Sequence, residues 1–482
     1  MAQGECRQER FRQSLEERLR LNLDPPKEHP TGDFNDPVMR SQVNQISHIG
    51  IQAYLVALAA FQRGLKVVFH YEVVSKSERF AHLPVQGYRG EIFSVSNEQR
   101  CHYFRRTLGD MTSKACSARV DDKNETKECL ARHGVDVPDG LVVHRHSIDA
   151  MRRFFARHSS KHFLLKPIDG TEGRGVIRNL SADAVVEQVG SHGDRLMLLE
   201  EYLPGSDYRV YVTAGQYIAA VVRLPANVVG TGRDTVQQLI EAKNAQRMEH
   251  PVYCHYPIPL NAHVEDYLRG EGLSLESVPG ENQRVFLSDV TSVPYGGDVE
   301  DITESLPNAV REQAVQAQQA LGLPNAGLDL IVSSAGTAQQ RVVVLEANQT
   351  PYITLLSLPL NPATPSPGNR VAESIIDYYF PESVNNERRT QACFDFMRVC
   401  RMLESGLVSE IALPVLGEEW VHKRLKIPAS CIEENTPSTV QQVMFRLGIH
   451  AQIWPTDRGD FLIDLVAPEN QADRFVEILE GG

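Results

Sequence analysis

Apolar side chains recur at helical spacing over residues 43–63, Gly64 is placed to end that helix, and 65-LKVVFHYEV-73 reads as a buried strand. This predicts one helix–strand unit of a small open-sheet domain, with 91-EIFSVS-96 as a second strand. Residues 97–120 show no assignable period. From Asp122 the signals sharpen: Asp122 is a helix N-cap, Gly134 ends that helix, and Pro138 with Asp139-Gly140 marks a turn. Ser147 predicts the N-cap of a helix over 148–158. Strands follow at 162–166 and 196–200, and 208-YRVYVTAGQYIAAVVR-223 reads as a hairpin turning at Ala214-Gly215. Two apolar runs, 327-GLDLIVS-333 and 341-RVVVLEAN-348, are strands that end in polar residues. Beyond a polar stretch at 383–391, the pattern predicts a helix at 437–447, strands at 449–455 and 460–466, and a last helix from about 468.

With 482 residues the chain has room for two to four domains. Its 42% hydrophobic and 23% charged content is that of a soluble globular protein. A net charge of -13 argues against nucleic acid as the main partner, because phosphate-backbone binding needs a basic surface. Anionic small molecules stay open, since a basic pocket survives inside an acidic protein. None of the 8 cysteines forms a CxxC pair, which sets aside metal knuckles and thioredoxin chemistry and predicts inert thiols in a reducing cytosol. The segment 6-CRQERFRQSLEERLRLNL-23 mixes Arg with Glu and reads as a charged helix, not as a signal peptide. The longest apolar stretch, 51-IQAYLVALAAF-61, is too short to span a bilayer. The expectation is a cytoplasmic protein with no membrane partner.

Candidate chemistry gathers at strand ends. Asp329, Glu346 and Asn348 place oxygen side chains on apolar strands, and Glu346 and Asn348, two apart, project from one face. Three hard oxygen donors suit Mg²⁺, which keeps one or two carboxylates beside nucleotide phosphates. The same residues read equally well as polar ends of surface strands. Lys123 begins a helix, and Lys166 ends a strand just before a loop of Gly170, Thr171, Glu172, Gly173, Arg174 and Gly175. That order reverses the familiar phosphate loop, in which the lysine follows the glycines. A lysine ahead of the loop can hold α- and β-phosphates while glycine backbone closes over the β- and γ-phosphates. Taken alone, Lys123 is a solvated helix lysine and the loop a β-turn. In 198-LLEEYLPGSDYR-209, Glu200 and Asp207 are acceptors suited to an adenine amino edge and ribose hydroxyls, or else surface carboxylates.

In this order, Lys123, Lys166 with its glycine loop, Glu200, Asp207, Arg209, then Asp329, Glu346 and Asn348, the sequence resembles the ATP-grasp superfamily. The stretches 221-VVRLPANVVGTGRDTVQQLIEAKN-244, 257-PIPLNAHVEDYLRGEGLSLESVPGENQRVFL-287 and 364-TPSPGNRVAESIIDYYFP-381 are similar to the ATP-grasp part of cyanophycin synthetases and bifunctional glutathione synthetases. The resemblance covers about 117–382. It implies an α+β fold in which two lobes clasp ATP, and a division into 1–116 (a small α/β domain), 117–385 (ATP-grasp) and 390–482 (a separate α+β unit of unknown role). The Mur-ligase-like half of cyanophycin synthetases, with its own phosphate loop, has no counterpart here. Where the family has an Arg and an Asn that anchor the acyl phosphate, this chain has Asp289 and Ser292. An acid there repels an acyl phosphate, so Arg209, Arg223 or Arg284 replaces that contact, or the substrate differs.

The resemblance further implies an ADP-forming ligase that uses ATP and Mg²⁺, with Mn²⁺ as an alternative. Its substrates would be amino acids or peptides, and a homo-oligomer is compatible. Two rivals remain: an ATP-binding scaffold or sensor without turnover, and an acyl-phosphate-forming enzyme with a non-amine acceptor.

Overall fold

A computed structural model describes residues 50–71, 90–158, 162–168, 175–250, 252–333, 341–357, 360, 367–383, 393–416, 420–432, 436–447, 449–455 and 459–480. Their contacts divide them into two units, one within 111–361 and one made of residues up to 110 together with those from 362 onward.

In the second of these units, α1 (Gly50–Gln62) is apolar on nearly every side and buried along its length, as a helix without a polar face must be. Gly64 ends it with a φ of 72°, where a side chain would be strained. The strands β1 (Lys66–His70), β2 (Ile92–Ser96), β3 (Cys101–Arg105) and β4 (Leu108–Gly109) follow as an antiparallel sheet. Residues 97–120, unassigned from sequence, thus hold two short strands and the helix α2 (Lys114–Asp121). Strands this short leave too few residues for an alternation to register.

Among the described residues the unit at 111–361 contains two larger sheets and a two-stranded one. Helix α3 (Lys123–Arg132) starts as its sequence predicts, with the Asp122 carboxylate accepting from the Asn124 and Glu125 amides. After it come β5 (Gly140–Val143), α4 (Ile148–Arg157), β6 (Phe163–Pro167), β7 (Ile177–Leu180), α5 (Ala182–Ser191) and β8 (Met197–Glu201). Ser147 sits at the N-cap of α4 but makes no side-chain cap; its hydroxyl accepts from the His144 amide, closing the preceding turn instead. The strands form a four-stranded sheet in the order β5-β8-β6-β7. One face packs on α4 and α5 through Val143, Phe154, Phe163, Leu165, Val185 and Leu199.

The chain then builds β9 (Ser206–Thr213) and β10 (Gln216–Leu224), the hairpin expected at Ala214-Gly215, where both residues have positive φ as a tight hairpin turn requires. An insertion follows: β11 (Asn227–Val229), α6 (Val236–Met248), α7 (Ala262–Gly270) and β12 (Arg284–Phe286), folded around its own core of Val228, Ile240, Val264, Leu268 and Val285. Asp298, at the start of β13 (Asp298–Asp301), anchors it. Its carboxylate takes the fully buried Arg247 at 2.7 Å, Lys243 at 2.5 Å and Asn227 at 2.9 Å. Helix α8 (Asn308–Leu321), β14 (Asn325–Ser333) and β15 (Arg341–Asn348) complete a five-stranded sheet, β13-β10-β9-β14-β15. Val210, Val212, Leu328, Leu330 and Val344 pack one face against α8.

The remaining chain gives α9 (Pro367–Tyr379), α10 (Phe396–Glu404) and β16 (Glu410–Ala412). The last of these pairs antiparallel with β1, so the N-terminal sheet takes its edge strand from the region that the sequence pattern sets apart as 390–482. The end of the chain has the predicted α11 (Thr436–Leu447), β18 (His450–Pro455), β19 (Phe461–Pro468) and α12 (Glu469–Glu480), preceded by β17 (Trp420–Ile427), a strand the sequence pattern did not mark. The sheet order is β17-β19-β18, and both helices pack on it around Ile427, Val440, Ile463, Leu465 and Phe475.

Candidate active site

Side chains alternate along a strand, so the face of the five-stranded sheet that does not meet α8 receives every second residue. On β9 these are Asp207, Arg209 and Tyr211. Opposite Arg209 stands Asp329 of β14, and opposite Asp329 stands Glu346 of β15; Asn348 lies across from Gly327, and Arg223 of β10 from Asp207. The Arg209 Nε is 2.6 Å from Asp329 Oδ1, and the Arg223 Nη2 is 3.0 Å from the same oxygen and 2.6 Å from Asp207 Oδ1. Thr291 Oγ1 donates to the other Asp207 oxygen at 2.6 Å. Burial works against the Arg223 charge, but Asp329 and Asp207 outweigh it and hold the guanidinium above its ordinary value. Burial pushes the Tyr211 hydroxyl up to about 12, and it donates to the Tyr352 carbonyl at 2.7 Å. Gly327 is needed for this packing: a Cβ there would lie 2.9 Å from Arg209 Nη1 and from Pro351 Cβ.

The four-stranded sheet also leaves one face free of its helices, and that face carries Lys166 and Glu200. Lys166 Nζ pairs with Glu200 Oε2 at 2.7 Å, while Lys127, reaching from α3, pairs with Oε1. Lys123 lies one turn before Lys127 on the same helix side. Burial, then the neighbouring Lys166, lowers the Lys127 ammonium to about 7. Burial, then Lys123, lowers Lys166 to about 8, against the attraction of Glu346. Arg341 at the start of β15 pairs with Glu201 at the end of β8 at 3.0 Å, which makes the two sheets neighbours within one unit.

The structure therefore brings together Lys166 and Glu200 on one sheet with Lys123 of α3 near Lys166, and Asp207, Arg209, Arg223, Asp329, Glu346 and Asn348 on the other. Arg284 stands apart, in an exposed ion pair with Glu300 at 2.6 Å on the insertion. Asp289 is exposed and Ser292 half-buried; Thr291, between them, is the residue that reaches Asp207. Gly170, Thr171, Glu172, Gly173 and Arg174 lie outside the described residues, and Gly175 has a φ of 74°. Sequence reading missed Lys127 and Thr291. Lys127 was within reach of it, four residues after Lys123 on a predicted helix. Thr291 shows no sequence signal, because its partner lies 84 residues away.

Among the described residues no group of three or more His, Cys, Asp and Glu is placed to hold a metal ion. The triad is two carboxylates and one amide, which is the donor chemistry of a hard divalent cation. The Asn348 amide nitrogen is buried without a hydrogen-bond partner. Turning that amide over places its carbonyl oxygen there, where a cation would satisfy it. Glu346 is exposed, whereas Asp329 is shared with two arginines. The donors fit such an ion.

Residues 118–248 match the family described as prokaryotic glutathione synthetase, ATP-grasp domain. That stretch is similar to an ATP-grasp domain. It is 28% identical over 340 residues to a glutathione biosynthesis bifunctional protein of Enterococcus faecalis, a match covering 67% of this chain and 42% of that protein. To a cyanophycin synthetase of Nostoc sp. it is 29% identical over 287 residues, 58% of this chain and 31% of the relative. A bifunctional glutathione synthetase of Pasteurella multocida of solved structure superposes with a TM-score of 0.48 at 23% identity, over 61% of this chain and 40% of that one. The chain spans less than half the length of the curated relatives it matches. Among the described residues no helix is long and apolar enough to cross a membrane.

Proposed function

We propose that the ATP-grasp domain belongs to an ATP-dependent ligase that joins a carboxylate to an amine and releases ADP and phosphate. The observation that carries this reading is the pairing of unlike polar faces. The four-stranded sheet offers Lys166, joined by Lys127 of α3 on the shared carboxylate Glu200 and with Lys123 near both lysines, a cluster of ammoniums suited to phosphates. The neighbouring sheet offers Asp329, Glu346 and Asn348 with two arginines beside them. The relatives' names, glutathione biosynthesis and cyanophycin synthesis, support amino acids or peptides as substrates.

In this reading a substrate carboxylate oxygen attacks the γ-phosphorus of ATP, and ADP leaves with the bridging electron pair. The amine nitrogen then attacks the acyl carbon, phosphate leaves, and the amine gives up a proton. Lys123 and Lys166 hold the phosphates, and Arg209 and Arg223 face the reacting carboxylate and the acyl phosphate formed from it. A Mg²⁺ ion held by Asp329, Glu346 and Asn348 would supply neutralisation of the phosphate charge. Holding both reactants in place is worth about 7–11 kcal/mol in such reactions. The side chains here need do little proton transfer, because a free amine is already a nucleophile.

Hydroxylamine tests this directly, since it replaces the amine without a tailored pocket. Enzyme, ATP, Mg²⁺ and the correct carboxylate, found by screening amino acids and peptides for nucleotide turnover, should yield a hydroxamate and ADP. Release of AMP would assign an adenylating mechanism and overturn the proposal. The second reading, ATP binding without turnover, draws on the Asp329 carboxylate being already held by Arg209 and Arg223. Bound ATP with no product across the screen would favour it.

A further inference from the structure

We propose that Lys127 and Glu200 act as a positioning pair that sets the Lys166 ammonium in place for the nucleotide's phosphates. The proposal rests on the ATP-site reading above and assigns Glu200 a role other than acceptor for the adenine amino group.

Each Glu200 oxygen already has an ammonium: Oε1 takes Lys127 and Oε2 takes Lys166. An adenine amino group would have to displace one of them. The Glu200 side chain is 4% exposed and that of Lys127 12%, and the Lys127 nitrogen is buried. That ammonium has no open side from which to meet a phosphate, so it acts through Glu200. Lys166 is the more exposed member. Position 140 enforces the arrangement, because Gly140 stands directly opposite Glu200 across β5 and β8. A Cβ at Gly140 would fall 3.0 Å from Glu200 Cγ and 2.7 Å from the Leu199 carbonyl, pushing the carboxylate out of its place between the lysines. Asp139, Glu201 and Lys123 complete the charged surroundings of Lys127. Without Lys127 the buried carboxylate would draw Lys166 inward as its sole partner, away from an incoming phosphate.

The test is a double-mutant cycle on the full chain, read by calorimetric titration with Mg²⁺ and a non-hydrolysable ATP analogue. Lys127→Met and Glu200→Gln should each weaken binding by about tenfold. The double variant should bind no worse than the weaker single one, because removing both charges leaves no carboxylate to pull Lys166 inward. Lys127→Arg should retain most of the affinity. Multiplying losses in the double variant would mean that Lys127 meets the nucleotide independently, which overturns the proposal, as would wild-type affinity in Lys127→Met. If Lys127→Met fails to fold, Glu200→Gln against the double variant decides: equal affinities support the pair, a further tenfold loss refutes it. Failure of the unaltered protein to bind the analogue would instead overturn the ATP-site reading.

Discussion

The five-stranded sheet of residues 111–361 keeps acids and bases in near balance on its polar face, with Asp207, Asp329 and Glu346 against Arg209 and Arg223. The four-stranded sheet beside it is unbalanced: Lys166 and, from α3, Lys127 share Glu200, with Lys123 close to both lysines. Both sheets bury their other face on helices in the same way. The difference lies in what each face can do alone. Paired charges hold one another's geometry, so the arginines and carboxylates of the larger sheet stay placed without a ligand. Crowded ammoniums repel, and what relieves them is an anion.

The sharpest way to break this comparison is to unbalance the balanced sheet. Asp329→Ala strands Arg209 and half of the Arg223 pairing, and urea unfolding should show a loss of about 3–5 kcal/mol, the usual result of orphaning one side of a buried ion pair. A loss below about 1 kcal/mol would mean that these pairs do not hold the sheet. Removing Glu346 and Asn348 together should separate chemistry from stability. Turnover should fall by about 10²–10³, equivalent to about 2.7–4 kcal/mol. Unfolding should shift by no more than about 0.5 kcal/mol per site, since one residue is exposed and the other half-buried. Unchanged turnover would dismiss the triad.

On the unbalanced sheet, Lys166→Met should weaken nucleotide binding by about 1.5–3 kcal/mol, the range of a charge-assisted hydrogen bond, while the protein without nucleotide loses little. Calorimetry on the variant checks it. The smallest effect is a pH dependence. The Lys127 ammonium is at about 7 in the folded protein, below its ordinary 10.5, so between those values the unfolded chain binds the extra proton. Stability then rises with pH across that window, by at most about 1.4 kcal/mol per pH unit from this group, and falls as pH drops through 7. The difference between the wild type and Lys127→Met should follow this slope in unfolding measured from pH 7 to 10. A flat difference would show that Glu200 keeps the lysine charged throughout.

Several elements were legible because their causes are local. Gly215 announces a tight turn by its tolerance of positive φ, and Asp122 caps a helix with amides two and three residues away. Ser147 had the right residue type in the right place, yet its hydroxyl had a second local partner, the His144 amide, and took it. The edge strand β16 could not be read: three residues carry no period, and their partner β1 lies more than 300 positions earlier. Glu200 was visible as a carboxylate at a strand end, but its lysine partners came from α3 and β6.

By itself the sequence determined the alternation within a strand, which puts Glu346 and Asn348 of β15 on one face, as it does Asp207 and Arg209 of β9. Strand geometry forces that face from nearest-neighbour spacing alone. Only the tertiary structure decided which charge meets which: that Asp329 is held by two arginines, one of them 120 positions distant in the chain, and that Glu200 is shared between Lys127 and Lys166. Ion pairing falls steeply with distance and with exposure to water. Register between strands, and the packing of a helix on the sheet, therefore set it, and neither is written in the order of residues along one segment.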